Sequence, residues 1–135
     1  MPVASKERRR QVGVSRYREL VAWQKAMDLV QEIYRLTQDF PPQEQFGLTN
    51  QLRRAAVSVP SNIAEGQGRR LRKQFCLFLR TARGSAQEIE TQLLIAQRLG
   101  YASAQRLRPV LSLLEETGRL IGGLLRSLEG RPTVS

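Results

Sequence analysis

Residues 104–129, AQRLRPVLSLLEETGRLIGGLLRSLE, decide the fold. Leu107, Leu111, Leu114, Gly118, Ile121, Leu125 and Leu128 recur there at steps of four and three, the spacing that lines one side of an α-helix. A second series, Val110, Leu113, Leu120 and Leu124, runs beside the first. Ser103 stands at the N-cap position, where a hydroxyl accepts from an otherwise unpaired backbone N–H. Just upstream, Gly100 closes a longer helix that opens at Arg69 or Leu71 and runs to Leu99. Its inward residues are Phe75, Phe78, Leu79, Ala82, Ala86, Ile89, Leu93 and Ala96.

The same periodicity continues towards the N-terminus. Phe46, Leu48, Leu52, Ala55, Val59 and Ile63 mark a helix that ends at Gly66-Gln67-Gly68. Pro60 inside it predicts a kink or a split, with Ser61 and Asn62 capping a final short turn. Before Phe40-Pro41-Pro42, two series share one more helix: Leu20, Trp23, Met27, Val30 and Tyr34, and beside them Ala26, Leu29, Ile33 and Leu36. No segment alternates with a strand period. The expected fold is all-α: an up-down-up-down antiparallel four-helix bundle over residues 17–129 with a kinked second helix, a flexible basic arm over 1–16 and a disordered tail over 130–135. The doubled seams of the first and last helices carry more apolar surface than an isolated bundle hides, which predicts self-association.

Composition narrows the function. The 135 residues suit one domain, and 41% of them are hydrophobic, enough for a packed core. There are 22 cations against 12 acids, a formal net charge of +10, which favours polyanionic partners. Only Lys6, Lys25 and Lys73 are lysines; the other cations are arginines, whose planar fork suits phosphate. The absence of histidine removes His-based acid–base catalysis and the commonest metal ligand. Glu88 with Glu90, and Glu115 with Glu116, are spaced so that neither pair shares a helix face, so no metal, cofactor or catalytic residue is expected. The single cysteine, Cys76, makes no intrachain disulfide and reads as a packing residue. With no membrane-spanning run and no secretory signal, a cytoplasmic location is expected.

The binding candidates cluster on the third helix. At about 100° per residue, Arg69, Arg72, Lys73, Arg80 and Arg83 fall within an arc of roughly 100°, with no acid between Gly66 and Gln87; Arg98 continues the ridge and Arg70 points elsewhere. Such a ridge neutralises phosphates, and Lys6, Arg8, Arg9 and Arg10 of the arm are expected to add to it. With Phe75 and Phe78 assigned to the core, no aromatic platform for base stacking is visible, so backbone recognition is expected. Gly66-Gln67-Gly68-Arg69-Arg70 lacks the lysine and hydroxyl of a nucleotide-binding loop and reads as an interhelical turn. Ala82, Gly84, Ser85 and Ala86 on the third helix, and Gly118, Gly122 and Gly123 on the fourth, form two patches of small residues expected to meet within the bundle or at a subunit contact.

Two stretches, RRAAVSVPSNIAEGQGR at 53–69 and ARGSAQEIETQL at 82–93, closely resemble the signature segments of the bacterial 23S rRNA intervening-sequence proteins. YRELVAWQKAMDLVQEIY at 17–34 and ETGRLIGGLLRSL at 116–128 resemble that family's first and last helices. The resemblance implies pentamers of four-helix bundles around a central channel. It also implies a distant relation to accessory proteins of diversity-generating retroelements, which bind nucleic acid and a reverse transcriptase. It singles out Arg54, Pro60, Asn62, Glu65, Gly66, Arg83, Gly84, Ser85, Glu88, Glu90 and Gln92. For these it suggests a bend at Pro60, capping or pairing near the bend by Asn62 and Glu65, a close neighbour at Gly84, and a subunit interface lined by Glu88, Glu90, Thr91 and Gln92. Taken together, the expectation is a non-enzymatic homo-oligomeric scaffold that binds RNA or DNA backbone. The alternative is a protein-interaction adaptor whose basic face docks an acidic partner.

Overall fold

The computed structural model describes residues 16–130, so the arm residues Lys6, Arg8, Arg9 and Arg10 and the tail beyond Gly130 lie outside the described residues. Four α-helices follow one another: α1, Val21–Thr37; α2, Leu48–Gln67; α3, Arg72–Arg98; and α4, Ala104–Glu129. Short 3-10 turns at Arg16–Glu19 and Pro42–Glu44 precede α1 and α2, and no strand occurs among the described residues. Each helix packs on two others in a closed circuit, α1 on α2, α2 on α3, α3 on α4 and α4 on α1. The fully buried centre is aliphatic: Leu29 and Ile33 from α1, Leu52, Val59 and Ile63 from α2, Leu79, Ile89 and Leu93 from α3, Leu107 and Ile121 from α4.

Local chemistry sets the helix ends. Ser103 Oγ accepts from the Arg106 N–H at 3.1 Å, the cap that opens α4. Gly100 takes φ +79°, a left-handed conformation that suits glycine, and it lets Tyr101 N–H donate to Ala96 O and Gly100 N–H to Gln97 O, which satisfies the last carbonyls of α3. At this end Phe40 packs on Tyr101 with ring centroids 5.6 Å apart, and Arg106 pairs with Asp39 at 2.8 Å. At the opposite end, Arg16, residues 67–72 and Leu128 surround one cavity.

Glu44 ties two connections together. Its Oε1 accepts from the Leu48 N–H at 3.0 Å and its Oε2 from the Tyr101 hydroxyl at 2.7 Å. The Leu48 N–H, then the Tyr101 hydroxyl, hold the Glu44 carboxyl below its ordinary 4.5, and the bond to the carboxylate pushes Tyr101 above its ordinary 10.0. A lowered carboxyl stabilises above its unfolded value and loses that contribution as pH falls through its folded value. A raised phenol stabilises below its unfolded value and loses it as pH rises through its folded value. The contact therefore contributes fully between about pH 5 and about pH 9. Tyr101→Phe is expected to lower the melting temperature inside this window, and the difference from the parent should shrink below it; melts across acid pH check this.

Several expectations change. Phe46 is 87% exposed because α2 starts after Gly47, beyond it. Helix α2 runs through buried Pro60 without splitting, and Asn62 Nδ2 donates back to Ser58 O at 2.8 Å rather than capping a new turn. At this level of α4 it is Thr117 that is fully buried, its hydroxyl donating to Leu113 O at 2.8 Å; Gly118 is half-buried and a Cβ there would meet nothing within 4 Å. A Cβ at Gly84 would also meet nothing, so neither of these glycines marks a close approach within the chain. The close approach lies at Gly66, where a Cβ would fall 2.6 Å from Phe78 Cβ and 3.1 Å from Phe75 Cδ1. The doubled seams separate as well. Ala26, Leu29, Ile33 and Leu36 of α1 are buried, whereas Met27 and Tyr34 are exposed, and Leu113, Leu120 and Leu124 of α4 are half-buried against the core.

Candidate nucleic-acid interface

At 27 residues, α3 is the longest element, about 40 Å at 1.5 Å per residue. Its core face runs through Cys76, Leu79, Ala82, Ala86, Ile89, Leu93 and Ala96, so cations spaced away from that stripe are forced outward. Lys73, Arg80, Arg83 and Arg98 are exposed, and Arg72 is half-buried. Lys73 and Arg83 have no hydrogen-bonding or ionic partner among the described residues. Arg80 pairs with Glu129 of α4, an acid distant in sequence that the spacing on α3 alone does not reveal. Cys76 is buried in the core, in keeping with a packing role.

Arg69 reaches the ridge differently from its expected place, because the helix begins at Arg72 and Arg69 is delivered by the preceding turn. Its guanidinium pairs with Glu65 Oε1 at 3.0 Å and lies 5.2 Å from the centroid of the Phe78 ring. Phe78 is thus half-buried under a cation rather than part of the core stripe. Both ridge pairs are open to solvent, with side chains 45–54% exposed. Exposed pairs contribute at most about 1 kcal/mol, so neither carboxylate holds its arginine firmly.

The turn also gathers cations that the sequence reading set aside. A cavity of about 590 Å³ at the start of α3 is lined by Arg16, Arg69, Arg70 and Arg72, with Gln67, Gly68, Leu71, Phe75 and Leu128. Arg70, expected to point elsewhere, joins its neighbours here because residues 68–71 are not helical. Leu71, the N-cap of α3, supplies no side-chain acceptor, so the positive end of the longest helix dipole opens among arginines. Gly66, in contrast, serves packing: it and Gln67 belong to α2, so the turn expected over 66–70 is shortened to residues 68–71.

Arg54, Asn62, Ser85, Glu88 and Gln92 of the signature set gather on the other flank of α3, in its seam with α2. Ser58 and Ser85 hydroxyls are hydrogen-bonded across the seam at 2.8 Å, and Asn62 Nδ2 donates to Ser58 Oγ at 2.9 Å. Over them a cleft of about 410 Å³ is lined by Asn50, Gln51, Arg54, Ala55, Ser58, Ser85, Glu88 and Gln92. Gln92 is only 9% exposed and its Oε1 is buried without a donor, a lapse that costs about 1–3 kcal/mol. Glu90 faces the α4 side instead, in a cavity with Leu94, Leu107, Arg108, Leu111 and Glu115. Periodicity could not reveal this grouping, since it needs the register between α2 and α3. Apolar exposure at Leu77, Leu94 and Ile95 of α3 and at Leu99 just beyond its end was also missed, although their positions off the inward stripe were readable.

A family model described as 23S rRNA-intervening sequence protein matches residues 18–123. No curated protein matches the chain. Among the described residues, no helix is long and apolar enough to cross a membrane.

Proposed function

The chain belongs to the 23S rRNA-intervening sequence protein family, and on that premise we propose a non-enzymatic, cytoplasmic, homo-oligomeric scaffold that holds RNA or DNA by its phosphates along α3. Its bundle runs up-down-up-down and bends at Pro60. The observation that carries the reading is the outer face of α3, where Lys73 and Arg83 stand exposed and unpaired beside Arg80, above the arginine-lined cavity at the helix start. A net charge of +10 and the ribosomal-RNA association in the family's name support it. Self-association is supported by exposed Met27, Tyr34 and Val57, which leave an apolar strip along the α1–α2 face for a second copy to cover.

The test is a titration of labelled single-stranded RNA and duplex DNA over a salt series, with the parent and with a Lys73→Gln, Arg80→Gln, Arg83→Gln triple variant. The parent should show log affinity falling linearly with log salt. The variant should bind about a hundredfold more weakly at moderate salt, with a slope flatter by about 2, and its helicity should be unchanged. Equal binding by the variant would refute the assignment. Loss of binding to an acidic protein, with no nucleic-acid binding by the parent, would favour the adaptor reading.

A further inference from the structure

The α2–α3 cleft contains chemistry that neither helix packing nor the phosphate ridge uses. Arg54 stands on its α2 wall and Glu88 on its α3 wall; both are exposed, and neither has an ionic or hydrogen-bonding partner among the described residues. Opposite charges that share one cleft without pairing leave room for a group between them. Gln92, on the same wall as Glu88, adds a buried carbonyl oxygen that lacks a donor. Its terminal amide torsion is soft, so a modest rotation presents the group to an occupant. The cleft's volume of about 410 Å³ lies within the range of small-ligand sites, about 300–1,000 Å³.

The donor and acceptor pattern selects the occupant. A phosphate or carboxylate would satisfy Arg54 but be repelled by Glu88, and a lysine or arginine side chain would satisfy Glu88 but be repelled by Arg54. A neutral planar group with two acceptors on one edge and two donors on another satisfies both walls. Among nucleobases guanine has this pattern, with O6 and N7 accepting from a guanidinium fork, and N1–H and the N2 amine donating to a carboxylate. Unpaired bases are read on these edges when splayed from a strand. We propose that the α2–α3 cleft takes one unpaired guanine base of a single strand held on the α3 ridge, with Arg54 on the O6/N7 edge and Glu88 on the N1/N2 edge. The Ser58–Ser85 bond and Asn62 fix the seam that spaces the two walls. The proposal rests on the nucleic-acid reading above and adds base selectivity to it.

Fluorescence anisotropy with three labelled 12-mers tests it: oligo-U, the same strand with one central guanine, and the same strand with one central adenine. The parent should bind the guanine strand about tenfold more tightly than the other two, within the range of a bidentate contact to a base edge. Glu88→Gln should abolish the preference while oligo-U affinity stays within about twofold, and Arg54→Gln should also abolish it. Equal binding of all three strands by the parent would overturn the proposal and leave the ridge reading standing. A guanine preference that survives both substitutions would overturn the cleft assignment. Failure of the parent to bind any of the three strands would overturn this proposal, and failure to bind duplex DNA as well would overturn the ridge reading. Circular dichroism of both variants guards against misfolding, which is not expected at exposed positions.

Discussion

Gly66→Ala is expected to lower the melting temperature by about 5–15 °C, and Gly66→Val by more, although glycine to alanine inside a helix ordinarily stabilises. The reason is one contact. A Cβ at position 66 would fall 2.6 Å from Phe78 Cβ, an atom fixed to the α3 backbone, and 3.1 Å from Phe75 Cδ1. Relief requires α2 and α3 to separate, which opens the seam held by the Ser58–Ser85 hydrogen bond. Overpacking of this kind costs about 1–3 kcal/mol for a methyl, and outweighs a propensity gain of about 1 kcal/mol that is already weak in the last turn. Gly84→Ala provides the opposite sign. A Cβ there meets nothing within 4 Å, so the propensity gain stands alone and the protein should melt a few degrees higher. Thermal melts of the two variants side by side check both signs; equal shifts would mean that the helices are farther apart at Gly66 than the contact requires.

The contrast between these glycines shows what was legible from sequence. Both sit in apolar-periodic segments, and the composition around Gly84 makes it the obvious place for a close neighbour. Packing depends on which helix face meets which, and four-and-three spacing fixes a face only relative to its own helix. For the same reason α4 and its Ser103 cap, Gly100 and the inward stripe of α3 were readable, while the pairing of Arg80 with Glu129 was not. Helix starts were the other source of error. Moving the start of α3 to Arg72 takes Arg69 out of the helical arc and brings it together with Arg70 in the arginine-lined cavity, and moving the start of α2 to Leu48 exposes Phe46. The ridge from Lys73 onward survives because it lies within uninterrupted helix, where about 100° per residue holds. The cleft of Arg54, Glu88 and Gln92 combines two distant segments. Its residues came into view through the family resemblance, and their shared location only through the structure.

The apolar strip on the α1–α2 face leads to the second large effect: the parent is expected to sediment as a multimer, and a Met27→Glu, Tyr34→Glu double variant as a single chain of 15.3 kDa. Met27 is 45% and Tyr34 40% exposed, and Val57 of α2, at 42%, lines the same shallow groove as Tyr34. Met27 and Tyr34 are seven residues apart and so lie on one side of α1, while the buried series Ala26, Leu29 and Ile33 fills the core independently. Charges placed on this strip therefore leave the folded chain nearly untouched. Burial of each side chain against a second copy contributes about 1.5–3 kcal/mol, and a carboxylate in its place adds a desolvation cost. Each substitution should raise the dissociation constant about 10–100-fold, enough in combination to separate subunits at micromolar concentration. One coupling needs care, because the Arg53 guanidinium lies 4.6 Å from the Tyr34 ring centroid and would find a partner in a glutamate at that position. Met27→Glu alone removes the ambiguity. Light scattering at high salt after nuclease treatment separates protein contacts from strands that bridge subunits. A multimer that withstands both substitutions would place the contact elsewhere, with the exposed Leu77 and Ile95 of α3 next to be tested. A parent that is already a single chain would mean that the strip is ordinary surface and that the proposed nucleic-acid binding along α3 has to be tested on one chain alone.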